Sequence, residues 1–176
     1  MILLEDTRNQ TGKHDLKNAY FANRGIEVRR TKLYCGDYTL PTNQSVCIDT
    51  KKDIQELIGD ICGKSHERFR NELLRAQESH IKLIILVEDN GGYCDRKNTI
   101  YNKPVTCIDD LFHWKNPRLF IWQGGKQKYP NATKGATLAK ALLTMQEKYD
   151  CQFLFVKKEN SGAKIVELLT ESEVQE

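Results

Sequence analysis

The spacing of apolar residues along the chain changes repeatedly between that of a strand and that of a helix. Short apolar runs of strand length stand at residues 1–4, 26–33, 81–87 and 152–156. Patterns typical of amphipathic helices cover residues 15–24, 53–62, 65–79, 138–149 and 163–169. The run 81–87 shows little alternation, as expected of a central strand covered on both faces. This order of elements predicts an α/β fold in which helices flank a sheet.

A β-hairpin is predicted between residues 37 and 51. Side chains alternate between the two faces of a strand, so in the stretch 46–51 Asp49 and Lys51 share one face. A turn-rich connection at 41–45 joins this strand to the segment before it. If the turn centres on Asn43, then Asp37 lies directly opposite Asp49.

Two opposed carboxylates suggest a metal site. Opposed residues of an antiparallel pair have Cβ atoms about 4.5–5.5 Å apart, close enough for Asp37 and Asp49 to bind one hard cation. Mg²⁺ or Mn²⁺ takes oxygen ligands and keeps water positions open for a substrate phosphate. Lys51 would stabilise charge on that phosphate or orient the attacking water. The pattern favours metal-dependent phosphodiester hydrolysis, and the alternative is an ordinary solvated turn and strand end.

Three motifs carry a resemblance to a known family. They are Glu-Asp-Thr-Arg at 5–8, Gly-Asp-Tyr at 36–38 and Ile-Asp-Thr-Lys-Lys at 48–52. With them, the chain resembles the nuclease domain of XPF-type structure-specific endonucleases, a branch of the restriction-endonuclease-like superfamily. The resemblance covers most of the chain and implies a mixed central β-sheet flanked by helices. It implies catalytic roles for Asp37, Asp49, Lys51 and Asp6, with Asp37 and Asp49 binding the metal and Asp6 as a further ligand or a supporting acid.

The chain also departs from the pattern of that family. Asp49 stands where glutamate is usual, and Thr50 stands where the family has arginine. Gln55 occupies the position of the closing aspartate, and Asn9 that of a glutamate found in many relatives. These departures identify a divergent member rather than a close copy.

Helix 65–79 has a charged face besides its apolar stripe. Arg68, Glu72 and Arg75 are three and four residues apart, which is typical of a surface ion-pair ladder. The other interpretation makes Glu72 a further metal ligand and Arg68 a phosphate contact. We favour the ladder for Glu72 and leave both interpretations open for Arg68.

The net charge of +3 is too small to indicate nucleic-acid binding by itself. Basic residues are nevertheless concentrated around the predicted site, where they would neutralise phosphates. The DNA-contact candidates are Arg68, Lys52, Arg70 and Lys64, and each of them singly is also typical of solvated surface.

The segment between the central strand and the last long helix has weaker signals. Residues 91–106 are polar, and we predict a long DNA-contacting loop there. Residues 109–115 are predicted as a short helix and 119–122 as an apolar strand or buried segment. Trp114 and Trp122 could stack on unpaired bases, but their apolar neighbours favour places in the core.

Length and composition agree with one nuclease domain over residues 1–176, without a helix-hairpin-helix domain. Six cysteines show no Cys-x-x-Cys pair, so we expect reduced thiols and no zinc knuckle. No apolar run reaches the roughly 20 residues of a membrane helix, and we expect a soluble, cytoplasmic protein. The resemblance implies a homodimer or heterodimer through the C-terminal helices.

These observations predict an Mg²⁺- or Mn²⁺-dependent DNA endonuclease that cuts branched or flapped DNA. The main alternative is a catalytically inactive XPF-like DNA-binding scaffold or partner subunit. A RecB-like exonuclease shares the acid-x-lysine strand but explains the Gly-Asp-Tyr motif less well.

Overall fold

A six-stranded mixed sheet organises the structure, a computed structural model that describes residues 1–10, 12 and 14–173. The strands, in chain order, are β1 (Ile2–Asp6), β2 (Glu27–Thr31), β3 (Tyr38–Thr39), β4 (Val46–Lys51), β5 (Lys82–Glu88), β6 (Gly92–Tyr93), β7 (Tyr101–Asn102), β8 (Trp122–Gln123), β9 (Lys126–Gln127) and β10 (Gln152–Val156). The α-helices are α1 (Asp15–Asn23), α2 (Ile54–Cys62), α3 (His66–Glu78), α4 (Gly135–Tyr149) and α5 (Ser161–Glu173). Short 3-10 helices cover Ile108–Phe112, Pro117–Phe120 and Lys158–Asn160.

The main sheet has the strand order β10-β5-β4-β3-β1-β2. Strand β3 pairs antiparallel with both β1 and β4, whereas the β1–β2, β4–β5 and β5–β10 pairs are parallel. Helices connect the parallel strands, because such a connection must cross over the sheet. The predicted mixed sheet flanked by helices is therefore confirmed.

Each face of the sheet has its own apolar core. On one face, Ile85 and Cys47 pack with the apolar sides of α2, α3 and α4. On the other, Ile48 and Leu86 pack with Phe21 of α1 and Ile165 of α5. Neighbouring residues of β4 and β5 thus enter opposite cores, which explains why β5 is apolar throughout.

The two helices that follow β4 begin as their sequences predict. Asp53 caps α2, since its Oδ1 accepts a hydrogen bond from the Glu56 N–H at 2.7 Å. Glu56 in turn accepts one from the Lys52 N–H at 2.8 Å, which fixes the turn between β4 and α2. Ser65 occupies the cap position of α3 but makes no capping bond through its side chain.

The structure corrects two predictions in the segment after β5. Residues 91–106 are not one long loop, because β6 and β7 pair there as a small hairpin. Residues 119–122 are not a buried strand: a 3-10 helix ends at Phe120, and Trp122 begins the exposed strand β8. Trp114 is buried as predicted, but the prediction of a core position for Trp122 was wrong, since it is 48% exposed.

Two further features are the state of the cysteines and the character of the helices. All six cysteines are free, and four of them are buried. Across residues 1–10, 12 and 14–173, no helix combines the length and the apolar character needed to cross a membrane.

A buried ion pair joins α1 to the end of β5. Lys17 Nζ lies 2.5 Å from Glu88 Oε1, and both side chains are almost fully enclosed. Glu88 lies on the same face as Leu86, opposite to the face of Asp49. This acid at the strand end therefore supports the fold rather than the predicted site.

We expect Lys17→Met to lower the free energy of unfolding by about 3–5 kcal/mol, because it leaves the Glu88 carboxylate buried without its cation. Lys17→Met/Glu88→Leu should recover most of the loss. Urea denaturation measures both, with Arg29→Met as a control that breaks the exposed pair of Arg29 with Glu27. If Lys17→Met were as stable as Arg29→Met, the buried pair would not stabilise the fold.

Candidate active site

A polar pocket of about 260 Å³ opens at the edge of the sheet where β1 and β4 end. Six of its lining side chains carry the chemistry considered below, namely Asp6, Arg8, Asp37, Asp49, Lys51 and Glu72. The backbone holds the three strands together there, because the Asp6 N–H donates to Asp37 O at 2.9 Å and the Asp37 N–H to Ile48 O at 2.7 Å. The structure thus brings the four predicted catalytic residues into one pocket.

The pairing register of the hairpin places the two aspartates. Tyr38 pairs with Ile48 across β3 and β4, which is the register that a turn centred on Asn43 predicts. Asp37 directly precedes β3, its N–H donates to Ile48 O, and its side chain lines the same pocket as Asp49.

Gly36 allows the chain to enter this register. It has a φ of +69°, and a Cβ there would lie 3.0 Å from Ile48 O and 3.2 Å from Cys47 Cβ. Any other residue would be strained by both its backbone conformation and its close approach to β4. The glycine of the Gly-Asp-Tyr motif therefore allows the backbone conformation that positions the following aspartate.

Thr50 holds the carboxylate of Asp37. Its N–H and its hydroxyl both donate to Asp37 Oδ2, at 2.8 and 2.5 Å. Burial raises the pKa of Asp37 above its ordinary value, although these bonds and nearby Lys51 oppose the shift. The residue that replaces the arginine of the family pattern thus orients a predicted metal ligand.

Lys51 forms ion pairs with two buried carboxylates. Its Nζ lies 2.7 Å from Asp49 Oδ2 and 2.7 Å from Asp60 Oδ2. The ammonium also lies 5.0 Å from the centre of the Phe69 ring. Asp49 and Lys51 therefore share a face, as strand alternation predicts.

The electrostatics of this group are unbalanced. Burial raises the pKa of Asp49 to about 8, with a smaller contribution from Asp37 and Glu72 and with Lys51 opposing. Burial alone would lower the pKa of Lys51, but Asp49 and Asp60 raise it above its ordinary value. Lys51 thus keeps its charge, whereas the ionisation of Asp49 is opposed mainly by the burial of its carboxyl group.

Asp6 is held by its own neighbour in sequence. The Arg8 guanidinium donates to both carboxylate oxygens, at 2.8 and 2.7 Å, and the N–H groups of Arg8 and Leu33 donate at 2.7 and 2.9 Å. Burial acts to raise the pKa of Asp6, but these four hydrogen bonds outweigh it and the pKa lies below its ordinary value. This arrangement favours the supporting role of Asp6 over direct metal binding.

The interpretation of Glu72 as part of a surface ladder is wrong. Glu72 is partly buried at the pocket, and its Oε1 accepts a hydrogen bond from the Gly36 N–H at 2.9 Å. The orientation of α3 against the sheet turns this face toward the hairpin instead of toward solvent. Glu72 therefore adds a third carboxylate beside Asp37 and Asp49.

The predicted DNA contacts differ in how close they come to the pocket. Arg68 lines it, with a side chain that is 78% exposed and a guanidinium nitrogen 3.5 Å from Asp60 Oδ1. Lys52 is exposed directly after β4, and Lys64 and Arg70 are exposed at the start of α3. Of these four cations Arg68 lines the pocket, and the other three are exposed residues near the pocket residues in sequence.

The residues at the centre suit a hard cation. Asp49 Oδ2 is buried, and its contact with Lys51 is an ion pair without a well-directed hydrogen bond from any described residue. Among the described residues, no three His, Cys, Asp or Glu side chains are already grouped to ligate one ion. Mg²⁺ commonly uses one or two carboxylates and completes its shell with water and substrate phosphate, which fits Asp37 and Asp49.

Comparison with known proteins adds an independent finding. A family model described as the ERCC4 domain matches residues 6–169. The chain belongs to the ERCC4-domain family. This confirms the predicted resemblance to XPF-type proteins.

Two solved structures resemble the ERCC4 domain described here. They are XPF from Aeropyrum pernix and the same protein in a complex with DNA, each 14% identical to this chain, with TM-scores of 0.60 and 0.58. Each match covers 99% of this chain, which spans 65% of the length of those proteins. At this identity the likeness establishes the fold. No curated protein matches the sequence.

Sequence reasoning missed two residues of the site. Asp60 is 4% exposed and pairs with Lys51, and its position three residues after buried Leu57 is a signal that this acid faces inward. Arg8 lies two residues after Asp6 and therefore on the same side of the extended chain. Gln55, at the position of the family aspartate, donates instead to Asn116 Oδ1 at 2.8 Å.

We expect Asp49→Asn to stabilise the metal-free protein progressively as the pH rises from 6 to about 8. Folding raises the pKa of the Asp49 carboxyl, so the wild-type protein loses stability as the pH rises through that range. The amide of the variant has no charge to bury, so the variant does not share this loss. Thermal melting in EDTA at each pH measures the difference between variant and wild type, which should level off above pH 8.

Asp110→Asn is the matched control. Hydrogen bonds from Thr106 hold the pKa of Asp110 below its ordinary value, so its carboxyl stays ionised across the range. If the difference in melting temperature between Asp49→Asn and wild type were as independent of pH as that of the control, the Asp49 carboxylate would not be an unfavourable buried charge.

Proposed function

We propose that this ERCC4 domain is a metal-dependent endonuclease that hydrolyses phosphodiester bonds in branched or flapped DNA. The observation that carries the proposal is the placement of Asp37 and Asp49 in one pocket, with Lys51 paired to Asp49 on the same face of β4. Two acids and a lysine in one open pocket are a combination suited to phosphate chemistry.

Asp37 and Asp49 would hold Mg²⁺ or Mn²⁺. The bound ion supplies positive charge toward a phosphate oxygen and lowers the pKa of coordinated water. Thr50 keeps Asp37 Oδ2 in place, and Asp49 Oδ2, whose buried ion pair with Lys51 lacks a well-directed hydrogen bond, would gain a second positive charge from the cation. Glu72 also lines the pocket and is a further carboxylate that could orient water there.

Lys51 would stabilise the negative charge that develops on the phosphate. The paired carboxylates keep it protonated, and burial keeps its charge from being screened by solvent. Asp60 Oδ2 also lies 2.7 Å from the ammonium, so Lys51 would keep one ion pair if Asp49 bound a metal. Asp60 is therefore a positioning residue in the proposal.

Exposed basic residues, one of which lines the pocket, support a nucleic-acid substrate. Arg68, Lys52, Arg70 and Lys64 are exposed and could neutralise phosphates on either side of the bond that is cut. One of the solved structures similar to this chain is that of XPF in complex with DNA. The preference for branched or flapped DNA rests on the resemblance to structure-specific endonucleases.

An inactive DNA-binding scaffold or partner subunit is the second candidate. It is favoured by Thr50 and Gln55, which replace charged residues of the family pattern. The retention of Asp37, Asp49 and Lys51 in one pocket favours the enzyme.

Cleavage of end-labelled duplex, flap, fork and four-way-junction DNA with Mg²⁺, Mn²⁺ or EDTA tests the proposal. We expect metal-dependent nicking near a branch, and its loss of at least about 100-fold in Asp49→Ala. Asp150→Asn is the matched control, since this exposed residue lies at the opposite end of the sheet and has a left-handed conformation that asparagine tolerates. DNA binding without cleavage under every condition would favour the scaffold, and cleavage by Asp49→Ala would exclude the mechanism.

We also propose that α4 and α5 contribute to a homodimer or heterodimer. Leu138, Leu142 and Met145 of α4 are buried in its own core, but Leu143 is 42% exposed on the same helix. Size-exclusion chromatography with light scattering should give the mass of a dimer. A monomer mass at all practical concentrations would remove the homodimer.

A further inference from the structure

The net positive charge of the chain arises from one segment outside the active-site pocket. Residues 111–146 contain six lysines and arginines and no aspartate or glutamate. Because the whole chain carries 27 basic and 24 acidic residues, the remaining residues have a net charge of −3. A segment of this length without any acid differs from ordinary mixed surface and indicates an anionic partner.

Part of this segment forms a projecting hairpin, residues 117–129, which we call the basic arm. It begins with the 3-10 helix Pro117–Phe120 and continues through β8 and β9, whose turn consists of Gly124 and Gly125. Both glycines have positive φ, 58° and 77°, as a tight two-residue hairpin turn requires. The Lys128 N–H donates to Ile121 O at 2.7 Å and extends the ladder.

The basic arm exposes aromatic and apolar side chains among its cations. Trp122 is 48% exposed, Ile121 43% and Tyr129 37%. The charged ends of Arg118 and Lys128 lie 5.7 and 5.5 Å from the centre of the Tyr129 ring. Exposed aromatic side chains with cations close by are the combination by which proteins bind unpaired bases and the phosphates beside them.

The base of the arm is fastened to the active-site end of the sheet. Asn116, which is 1% exposed, accepts hydrogen bonds from the Gln55 side chain at 2.8 Å and from the Arg118 N–H at 3.0 Å. The side-chain amide of Asn116 donates to Thr133 O at 2.8 Å, and Thr133 follows the arm in the chain. Gln55 lies four residues after Lys51, so this anchor relates the arm to the pocket through the start of α2.

We propose that the basic arm binds single-stranded DNA, with Trp122 stacking on an unpaired base and Lys126 and Lys128 contacting phosphates. The proposal rests on the proposed function, because it assigns to the arm the unpaired part of a flap or fork that the pocket cuts. Duplex bases offer no free face to Trp122, so the arm selects single strands over blunt duplex.

Fluorescence anisotropy in EDTA tests binding without cleavage. The full chain is titrated with labelled oligo-dT and with a blunt duplex of equal length. We expect tighter binding of oligo-dT, about 10-fold weaker binding by Trp122→Ala, and near-wild-type binding by Trp122→Phe, which keeps an aromatic face. Quenching of tryptophan fluorescence by oligo-dT should be much smaller in both variants, since Trp114 is buried.

The lysines are tested through salt dependence. Lys126→Ala/Lys128→Ala should reduce the slope of log affinity against log salt by about 1.4 for single-stranded DNA, whereas Trp122→Ala should leave it unchanged. The matched control is Lys82→Ala/Lys148→Ala, which removes two exposed lysines near the other end of the sheet.

Wild-type affinity for oligo-dT in Trp122→Ala would overturn the proposal, and so would equal losses in the arm variants and the control. Cleavage is a separate readout. Weaker binding by Trp122→Ala in a protein that cuts no DNA would support the arm and contradict the proposed nuclease. Metal-dependent cleavage with unchanged binding by the arm variants would support the nuclease and contradict the arm.

Discussion

The register between β3 and β4 is the constraint on which the candidate active site depends. A slip of one residue would turn Asp49 and Lys51 to the opposite face and bring Val46 and Ile48 out of their core. The apolar residues of β4 thus fix the register for reasons of packing, and the acids follow. Gly36 completes the constraint, because its missing Cβ lets the chain approach β4 closely enough for Asp37 to share a pocket with Asp49.

This geometry concentrates negative charge in a place with little solvent. Asp37, Asp49 and Glu72 meet at the pocket, and the nearest cation, Lys51, is shared with Asp60. The raised pKa values of Asp37 and Asp49 are the electrostatic consequence. A divalent cation would offset this repulsion, so the same arrangement that is unfavourable without metal favours its binding.

The sequence predicted those parts of the site that depend on local geometry. Strand alternation and the turn at Asn43 were enough to place Asp49, Lys51 and Asp37. The roles of Glu72 and Asp60 depend on how α3 and α2 are rotated against the sheet, and helical periodicity alone does not set that rotation. The segment that contains the basic arm was missed because its two-residue strands are too short to show a period.

Titration with Mn²⁺, followed by the electron paramagnetic resonance signal of the free ion, tests the central claim most directly. If Asp37 and Asp49 hold one ion between them, wild type binds one Mn²⁺ at this site, and Asp37→Asn and Asp49→Asn each lose it, while Asp150→Asn keeps it. Retention of the site in either active-site variant would contradict a metal shared by the two aspartates.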